Sequence, residues 1–361
     1  MKGVSMAKRL LTSIVSLGFV ASVLIATPAQ AADNLKGAGS SFANKFIVSC
    51  GLADPDTTIT NYNPAGSGTG RSAFANGTVD FGASDAVATL SLTGARNGGS
   101  YAYVPVVGGP IAVLYNIPGI ANGQLRLDAI TIAKIYSGKV KTWNDPAITA
   151  LQTSAVKSKL PNKPIRVAYR AASSGTSENF TDYLRQNAPS VWTKAKNTTI
   201  ASGNPAGRMP GGSIGAANSQ ALVASVKSTS YAIGYADLSD AVTSKIPFAT
   251  IKNQNGEWIA PTSAASAKFL AAFSGASGFN ASTGAVTLNF TKKVPGAYNM
   301  SLITYAIVDK NSSSAKAASV ETFVKYMLNT CGPQKAASLG YAPITGTLKT
   351  KALAIAEGIR Q

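Results

Sequence analysis

Four stretches of small residues punctuate this chain. Three of them stand directly ahead of a helical pattern: Gly37-Ala38-Gly39-Ser40-Ser41, Gly66-Ser67-Gly68-Thr69-Gly70 and Ala171-Ala172-Ser173-Ser174-Gly175-Thr176. The fourth, Gly82-Ala83-Ser84-Asp85-Ala86, ends an apolar run that begins at Val79. Short apolar runs that give way to glycine and hydroxyl residues, and then to helical periodicity, point to an α/β fold with ligand sites at strand ends.

Residues 37–41 read as a loop, and Phe42, Phe46, Ile47 and Cys50 then recur at helical spacing. A helix is predicted from about Phe42, capped by Ser40 or Ser41. Residues 57–62 alternate as a short strand before the second loop, whose G-x-G-x-G spacing and missing lysine make a poor nucleotide fingerprint. Residues 79–86 read as a buried strand that carries Asp85 at its carboxyl end. Further strands are predicted at 101–107, 111–115, 165–169 and 302–308, and helices at 131–136, 177–186, 219–225, 263–273, 315–328 and 350–357.

The third loop has the composition of an anion cradle. Arg170 supplies a planar, permanently charged fork, Ser174 and Thr176 supply hydroxyls, and Gly175 lets backbone approach a ligand at the start of a helix. The same residues also fit an ordinary capped turn, with Ser173 or Ser174 as the N-cap and Glu178 completing a capping box.

Residues 1–31 run from Lys2, Lys8 and Arg9 through an apolar stretch to Ala29-Gln30-Ala31, the pattern of a secretory signal with an A-x-A exit. No cysteine stands at that exit to carry a lipid. The roughly 330 residues that follow suit two lobes better than one core. The chain's net charge of +18, with 33 basic residues, becomes 18 − 3 = +15 once the three cations of residues 1–31 are removed. Such a field favours anionic partners. Nucleic acid is disfavoured, because there is no dense Lys/Arg block and no repeated basic-aromatic module.

Histidine is absent, which removes Ser-His-Asp triads, His general bases and His metal sites. Gly211-Gly212-Ser213-Ile214-Gly215 spells G-x-S-x-G without a histidine to activate Ser213, and Ser154–Lys157 and 313–316 spell S-x-x-K without partner motifs. The chain therefore reads as a binding protein, not an enzyme. Cys50 and Cys331 in an exported chain make one disulfide the default, with two buried free thiols as the alternative.

Taken in order, Gly37 to Phe42, the loop at 66–70, Val79 to Asp85 and Arg170 to Thr176 resemble the motifs of the phosphate-specific substrate-binding proteins of bacterial ABC transporters. Residues 105–119, 135–145 and 232–235 continue that resemblance, which covers nearly the whole chain after the signal. It implies a two-lobed, type II periplasmic-binding-protein fold with two crossing strands and a ligand cleft between the lobes. The crossings are expected near 109–113 and 300–303, giving lobe one as 33–110 plus 302–361 and lobe two as 111–301. Both cysteines would then lie in lobe one.

The resemblance also assigns the phosphate donors: Ser41, Phe42 and Ser67 from lobe one, and Arg170, Ser174, Gly175 and Thr176 from lobe two. Asp85 matches the acceptor, which favours an anion that keeps a proton over fully ionised sulfate. Three positions depart from the family pattern. Ala172 and Ser173 stand where an acidic residue and a glycine are usual, Gly68-Thr69 replace a serine-glycine pair, and Ser41 replaces threonine. The missing acid would leave Arg170 without an orienting carboxylate.

The expected function is capture of inorganic phosphate by lobe closure and delivery to a membrane ABC permease, in the periplasm or after secretion, as a monomer needing no metal or organic cofactor. The alternatives are a binder of another oxyanion, with arsenate inseparable by sequence, and a secreted adhesion or surface-interaction protein reusing the fold.

Overall fold

Strand pairing brings the loops together. The structure, a computed structural model, describes Met1 and residues 33–273 and 278–360, so the signal reading of residues 1–31 lies outside the described residues apart from Met1. The strands are β1 (Asp33–Gly39), β2 (Thr57–Asn63), β3 (Phe81–Ser84), β4 (Ser100–Tyr115), β5 (Arg126–Leu127), β6 (Arg166–Arg170), β7 (Ile214–Ala216), β8 (Ala232–Asp237), β9 (Thr250–Lys252), β10 (Trp258–Ile259), β11 (Ser301–Lys310) and β12 (Ala342–Pro343). Among the described residues, the main sheet runs β2-β1-β3-β11-β4-β8-β6-β7, with β12 also on β4, and β10-β9-β5 form a small separate sheet.

Thirteen α-helices cover these strands among the described residues: α1 (Asn44–Gly51), α2 (Ser67–Ala75), α3 (Ala129–Tyr136), α4 (Pro146–Thr149), α5 (Ser154–Lys157), α6 (Gly175–Asn187), α7 (Ile200–Gly203), α8 (Ser219–Ser228), α9 (Leu238–Thr243), α10 (Ser263–Ala271), α11 (Ala317–Tyr326), α12 (Gly332–Lys335) and α13 (Gly346–Ala356). None of them is long and apolar enough to cross a membrane.

The long strand β4 organises the two lobes. Its first part pairs antiparallel with β11, down to Pro110 opposite Ser301, and its second part pairs with β8, from Ile111 opposite Asp237 to Tyr115 opposite Ile233. The carboxyl ends of β1 and β3 therefore point toward the middle of β4 from one side, and the carboxyl end of β8 points there from the other. The parallel pairs β6/β8 and β6/β7 align the end of β6 with that of β8. Loops that follow these strands face one another across a cleft, where α/β sheets bind ligands.

Residues 101–107 and 111–115 read as two strands in the sequence but form one, because Gly108, Gly109 and Pro110 fall where the sheet changes partner. Proline lacks an N–H, and it costs no ladder bond at such a switch; the bridging bond comes instead from Ile111 N–H to the Met300 carbonyl at 2.8 Å. β1 corrects the loop expected at 37–41. Gly37 and Gly39 are weak strand formers, yet β2 and β3 flank them on both sides and supply the ladder. Helix α1 begins at Asn44 with Ala43 at its N-cap, so neither Ser40 nor Ser41 holds the cap position, although Ser40 Oγ accepts from the Ala43 N–H at 3.1 Å in the turn just ahead of the helix. The helix expected at 315–328 ends at Tyr326 and passes into a π-helical turn, Met327–Cys331.

Cys50 on α1 and Cys331 at the end of that turn form a disulfide with a Cα–Cα distance of 5.6 Å, both residues fully buried. The free-thiol alternative is thereby excluded.

Candidate functional site

At the middle of β4 the four small-residue loops meet. Asp85 stands one residue past β3, and the register of β3 on β11 puts Ser84 opposite Tyr305, so Asp85 arrives beside Thr304. Its Oδ1 accepts from Ser40 Oγ at 2.5 Å and from Thr304 Oγ1 at 2.8 Å, and its Oδ2 accepts from Thr176 Oγ1 at 3.0 Å. The Asp85 backbone N–H donates to Ser67 Oγ at 3.1 Å, and its carbonyl accepts from Asn179 Nδ2 at 2.7 Å. Burial pushes the Asp85 carboxyl above the ordinary carboxylate value, against the pull of the Ser40, Thr304 and Thr176 hydroxyls and of the Arg170 charge.

Arg170 ends β6 and is 2% exposed. Its Nη1 donates to Ser41 Oγ and its Nη2 to the Ala217 carbonyl, both at 3.0 Å, and its backbone N–H donates to Tyr235 Oη at 3.2 Å. Tyr235 is itself fixed by a 2.6 Å hydrogen bond with Ser177 Oγ and by stacking on Phe180 at 4.3 Å. Burial lowers the pKa of the guanidinium, opposed by Tyr235, Asp85 and Asp237, yet an arginine stays charged. Ala172 is exposed and offers no acceptor, no ion pair involves Arg170 among the described residues, and its buried Nε has no hydrogen-bond partner. A hydroxyl and a backbone carbonyl orient this arginine in place of a carboxylate.

Ser41 Oγ also accepts from the Ser219 N–H at 3.1 Å and lies 3.0 Å from Ser219 Oγ. Phe42 is buried, with its carbonyl held by Tyr341 Oη at 2.8 Å. Ser174 is the N-cap of α6 and accepts from Ser177 N–H at 3.2 Å, while Glu178 pairs with Lys196 at 2.7 Å and takes no part in a capping box. The capped-turn reading was therefore right about Ser174 and wrong about Glu178. A cap hydroxyl keeps its own proton to donate, and the Gly175 and Thr176 amides at the start of this 13-residue helix point where an anion can meet them.

The structure thus brings together all eight residues singled out from sequence: Ser41, Phe42, Ser67, Asp85, Arg170, Ser174, Gly175 and Thr176. It adds Ser40, Thr304, Ser219, Asn179 and Tyr235. Ser219 begins α8 directly after the N-cap Asn218 and carried a local helix-start signal. Thr304 lies mid-strand and carried none.

Two glycines make the close packing possible. A Cβ on Gly70 would lie 2.5 Å from Gly39 Cα, so α2 seats directly on β1. Gly66 has φ +115°, and a Cβ there would sit 2.7 Å from Arg170 Nη2. Gly66→Ala is expected to cost about 2 kcal/mol of stability in denaturant unfolding through backbone strain, and to displace the guanidinium. An unchanged midpoint would contradict the close approach.

The G-x-S-x-G serine is elsewhere. Ser213 Oγ donates to the Pro210 carbonyl at 2.6 Å. The loops gather the hydroxyls of Ser40, Ser41, Thr176 and Thr304 and the Arg170 guanidinium around one carboxylate acceptor, residue types suited to a small, partly protonated oxyanion.

Comparison with known proteins agrees with this geometry. A family profile described as PBP superfamily domain matches residues 25–330. Phosphate-binding protein PstS 3 of Mycobacterium leprae (strain TN) is 34% identical over 326 residues, covering 88% of this chain and 82% of that one. Among solved structures, the high affinity periplasmic phosphate-binding protein PfluDING, bound with phosphate, superposes with a TM-score of 0.71 at 20% identity over 89% of this chain and 93% of its own. The phosphate binding protein of Stenotrophomonas maltophilia gives a TM-score of 0.69 at 20% identity over 90% and 94%. Both share the two-lobed fold. With matches of that extent and identity, the chain belongs to the PBP superfamily and, within it, to the family of the PstS phosphate-binding proteins.

Proposed function

We propose that this protein captures inorganic phosphate between its two lobes outside the cytoplasm, as a monomer, and hands it to an ABC permease. The lobes we assign are 33–110 with 302–361, and 111–301, on the support that β4 changes partner from β11 to β8 between Pro110 and Ile111. Ser41, Phe42 and Ser67 donate from the first lobe, and Arg170, Ser174, Gly175 and Thr176 from the second. The observation that carries the reading is the hydrogen bonding of Asp85. A carboxylate offers about four acceptor sites, and three are filled by Ser40, Thr304 and Thr176. The remaining one suits a single ligand O–H. Phosphate near neutral pH has that proton and sulfate does not. A sulfate oxygen would meet the carboxylate as an unpaired like charge in a buried site.

Calorimetric titration with phosphate, arsenate and sulfate at fixed ionic strength tests the proposal. Phosphate and arsenate are expected to bind and sulfate to be rejected; preference for sulfate would overturn the role of Asp85. Asp85→Asn, which can donate to a fully ionised oxyanion, should weaken phosphate by about tenfold and narrow the preference over sulfate.

Acid should act in the same direction. Above its raised pKa Asp85 is an acceptor, and as pH falls through that value it becomes protonated and can donate to sulfate. The phosphate-to-sulfate ratio, measured by competition across pH, is therefore expected to fall on acidification, beginning at a higher pH than an ordinary aspartate would give. A ratio independent of pH would count against the mechanism.

A further inference from the structure

A second set of polar contacts joins the two proposed lobes beside the site and ends on the backbone of one site residue. Lys45 lies on α1, one turn beyond the Ser41 loop, and Asp240 lies on α9, which follows β8 at the crossing. Lys45 Nζ stands 2.8 Å from Asp240 Oδ1, and it also donates to the Ser239 carbonyl at 3.1 Å and to Thr243 Oγ1 at 2.8 Å. The other oxygen of Asp240 accepts from Gln220 Nε2 at 2.5 Å, and the same amide donates to the Ser41 carbonyl at 3.2 Å. Asp240 is itself held by its N–H, which donates to Asp237 Oδ1 at 2.7 Å.

The chain Lys45, Asp240, Gln220, Ser41 therefore leaves the first lobe, crosses into α9 and α8 of the second, and returns to the backbone of a site residue. Asp240 is almost wholly buried, with 5% of its side chain exposed, whereas Lys45 keeps 30%. A buried carboxylate needs its cation, and Lys45 can meet it only when the lobes are together. Opening the cleft would leave the Asp240 side chain with Gln220 and beside the Asp237 carboxyl, without its cation.

We propose that Lys45 and Asp240 are positioning residues for anion capture: their ion pair clasps the lobes in the closed arrangement and, through Gln220, fixes the Ser41 carbonyl beside the site. The proposal rests on the phosphate reading and the lobe boundaries given above. Its physical content is that the clasp slows release, since truncating one partner of a buried charge pair acts mainly on the dissociation rate.

Stopped-flow release of inorganic phosphate from wild type and from Lys45→Met tests it. Release from the variant is expected to be about tenfold faster, with the association rate within about twofold. An unchanged release rate overturns the proposal. Gln220→Ala is the second variant, since an Asp237 or Asp240 substitution can fail to fold. The double variant Lys45→Met/Gln220→Ala should release phosphate more slowly than the product of the two single effects, because both act through Asp240. Strict additivity overturns the relay.

Should wild type bind no phosphate, the functional reading fails, and the clasp is read instead by small-angle scattering of anion-free protein. Lys45→Met at low salt should then match the larger radius of gyration that wild type reaches near 1 M salt, where the Debye length is about 3 Å. Equal radii for wild type and variant at low salt overturn the clasp independently of the ligand.

Discussion

Replacing Arg170 with alanine is expected to weaken phosphate binding by about a thousandfold. Arg170 is 2% exposed, and its guanidinium spans both proposed lobes through Ser41 Oγ and the Ala217 carbonyl. Losing one partner of a buried, hydrogen-bonded charge contact costs about 4 kcal/mol, and each 1.4 kcal/mol is about a factor of ten. The variant also removes the cation that opposes the upward drift of the Asp85 carboxyl, so that group would protonate more readily and stop selecting a protonated ligand. Arg170→Lys should recover little of the loss, because a compact ammonium cannot reach a hydroxyl, a carbonyl and a tetrahedral anion with one planar fork. Calorimetry on the three proteins measures this. An alanine variant within tenfold of wild type would mean that the arginine only supports the fold.

The second large effect concerns stability. The Cys50–Cys331 bridge closes a loop of 281 residues, and chain-entropy arguments put the stabilisation from a loop of that length at about 5 kcal/mol. The paired variant Cys50→Ser/Cys331→Ser should therefore unfold at markedly lower denaturant, with a loss of about 3 to 5 kcal/mol. Both cysteines lie in the lobe assigned as 33–110 with 302–361, where the bridge ties α1 to the turn after α11 and crosses no hinge. Phosphate affinity of the refolded variant is accordingly expected to change by less than about threefold, since a local staple leaves the clamp intact. An affinity loss of tenfold or more would show that the bridge acts on the cleft. Both sulfurs are fully buried, so reduction of the native protein should need denaturant.

The meeting of the loops was legible in part because a helix start packed closely against another loop imposes local demands. Gly66, Gly175 and the hydroxyls of Ser67, Ser174 and Thr176 stand where backbone must approach closely and where first-turn amides lack partners, and those demands appear as contiguous small residues. Asp85 was legible as a carboxylate at a strand end. The same locality explains the errors. Gly37 and Gly39 suggested a loop because isolated glycines favour turns, but parallel neighbours on both sides hold them in β1. Gly108-Gly109-Pro110 suggested a break, and the chain continues because the ladder changes partner there. Ser40 suggested a helix cap; its hydroxyl accepts from the Ala43 N–H ahead of the helix and also donates to Asp85, a distant partner with no local signal.

By itself the sequence determined the α/β class, the four loops, an arginine and a carboxylate acceptor among them, and the lack of an acid at Ala172, since each is a property of neighbouring residues. Tertiary structure alone decided what surrounds that acceptor and that arginine. Thr304 reaches Asp85 across 219 positions, and Ser219 and Gln220 reach Ser41 across 178 and 179. Lateral strand pairing and lobe contact set those meetings. Neither leaves a periodic trace in the chain, because the energy of a pairing resides in two distant segments at once and in neither alone.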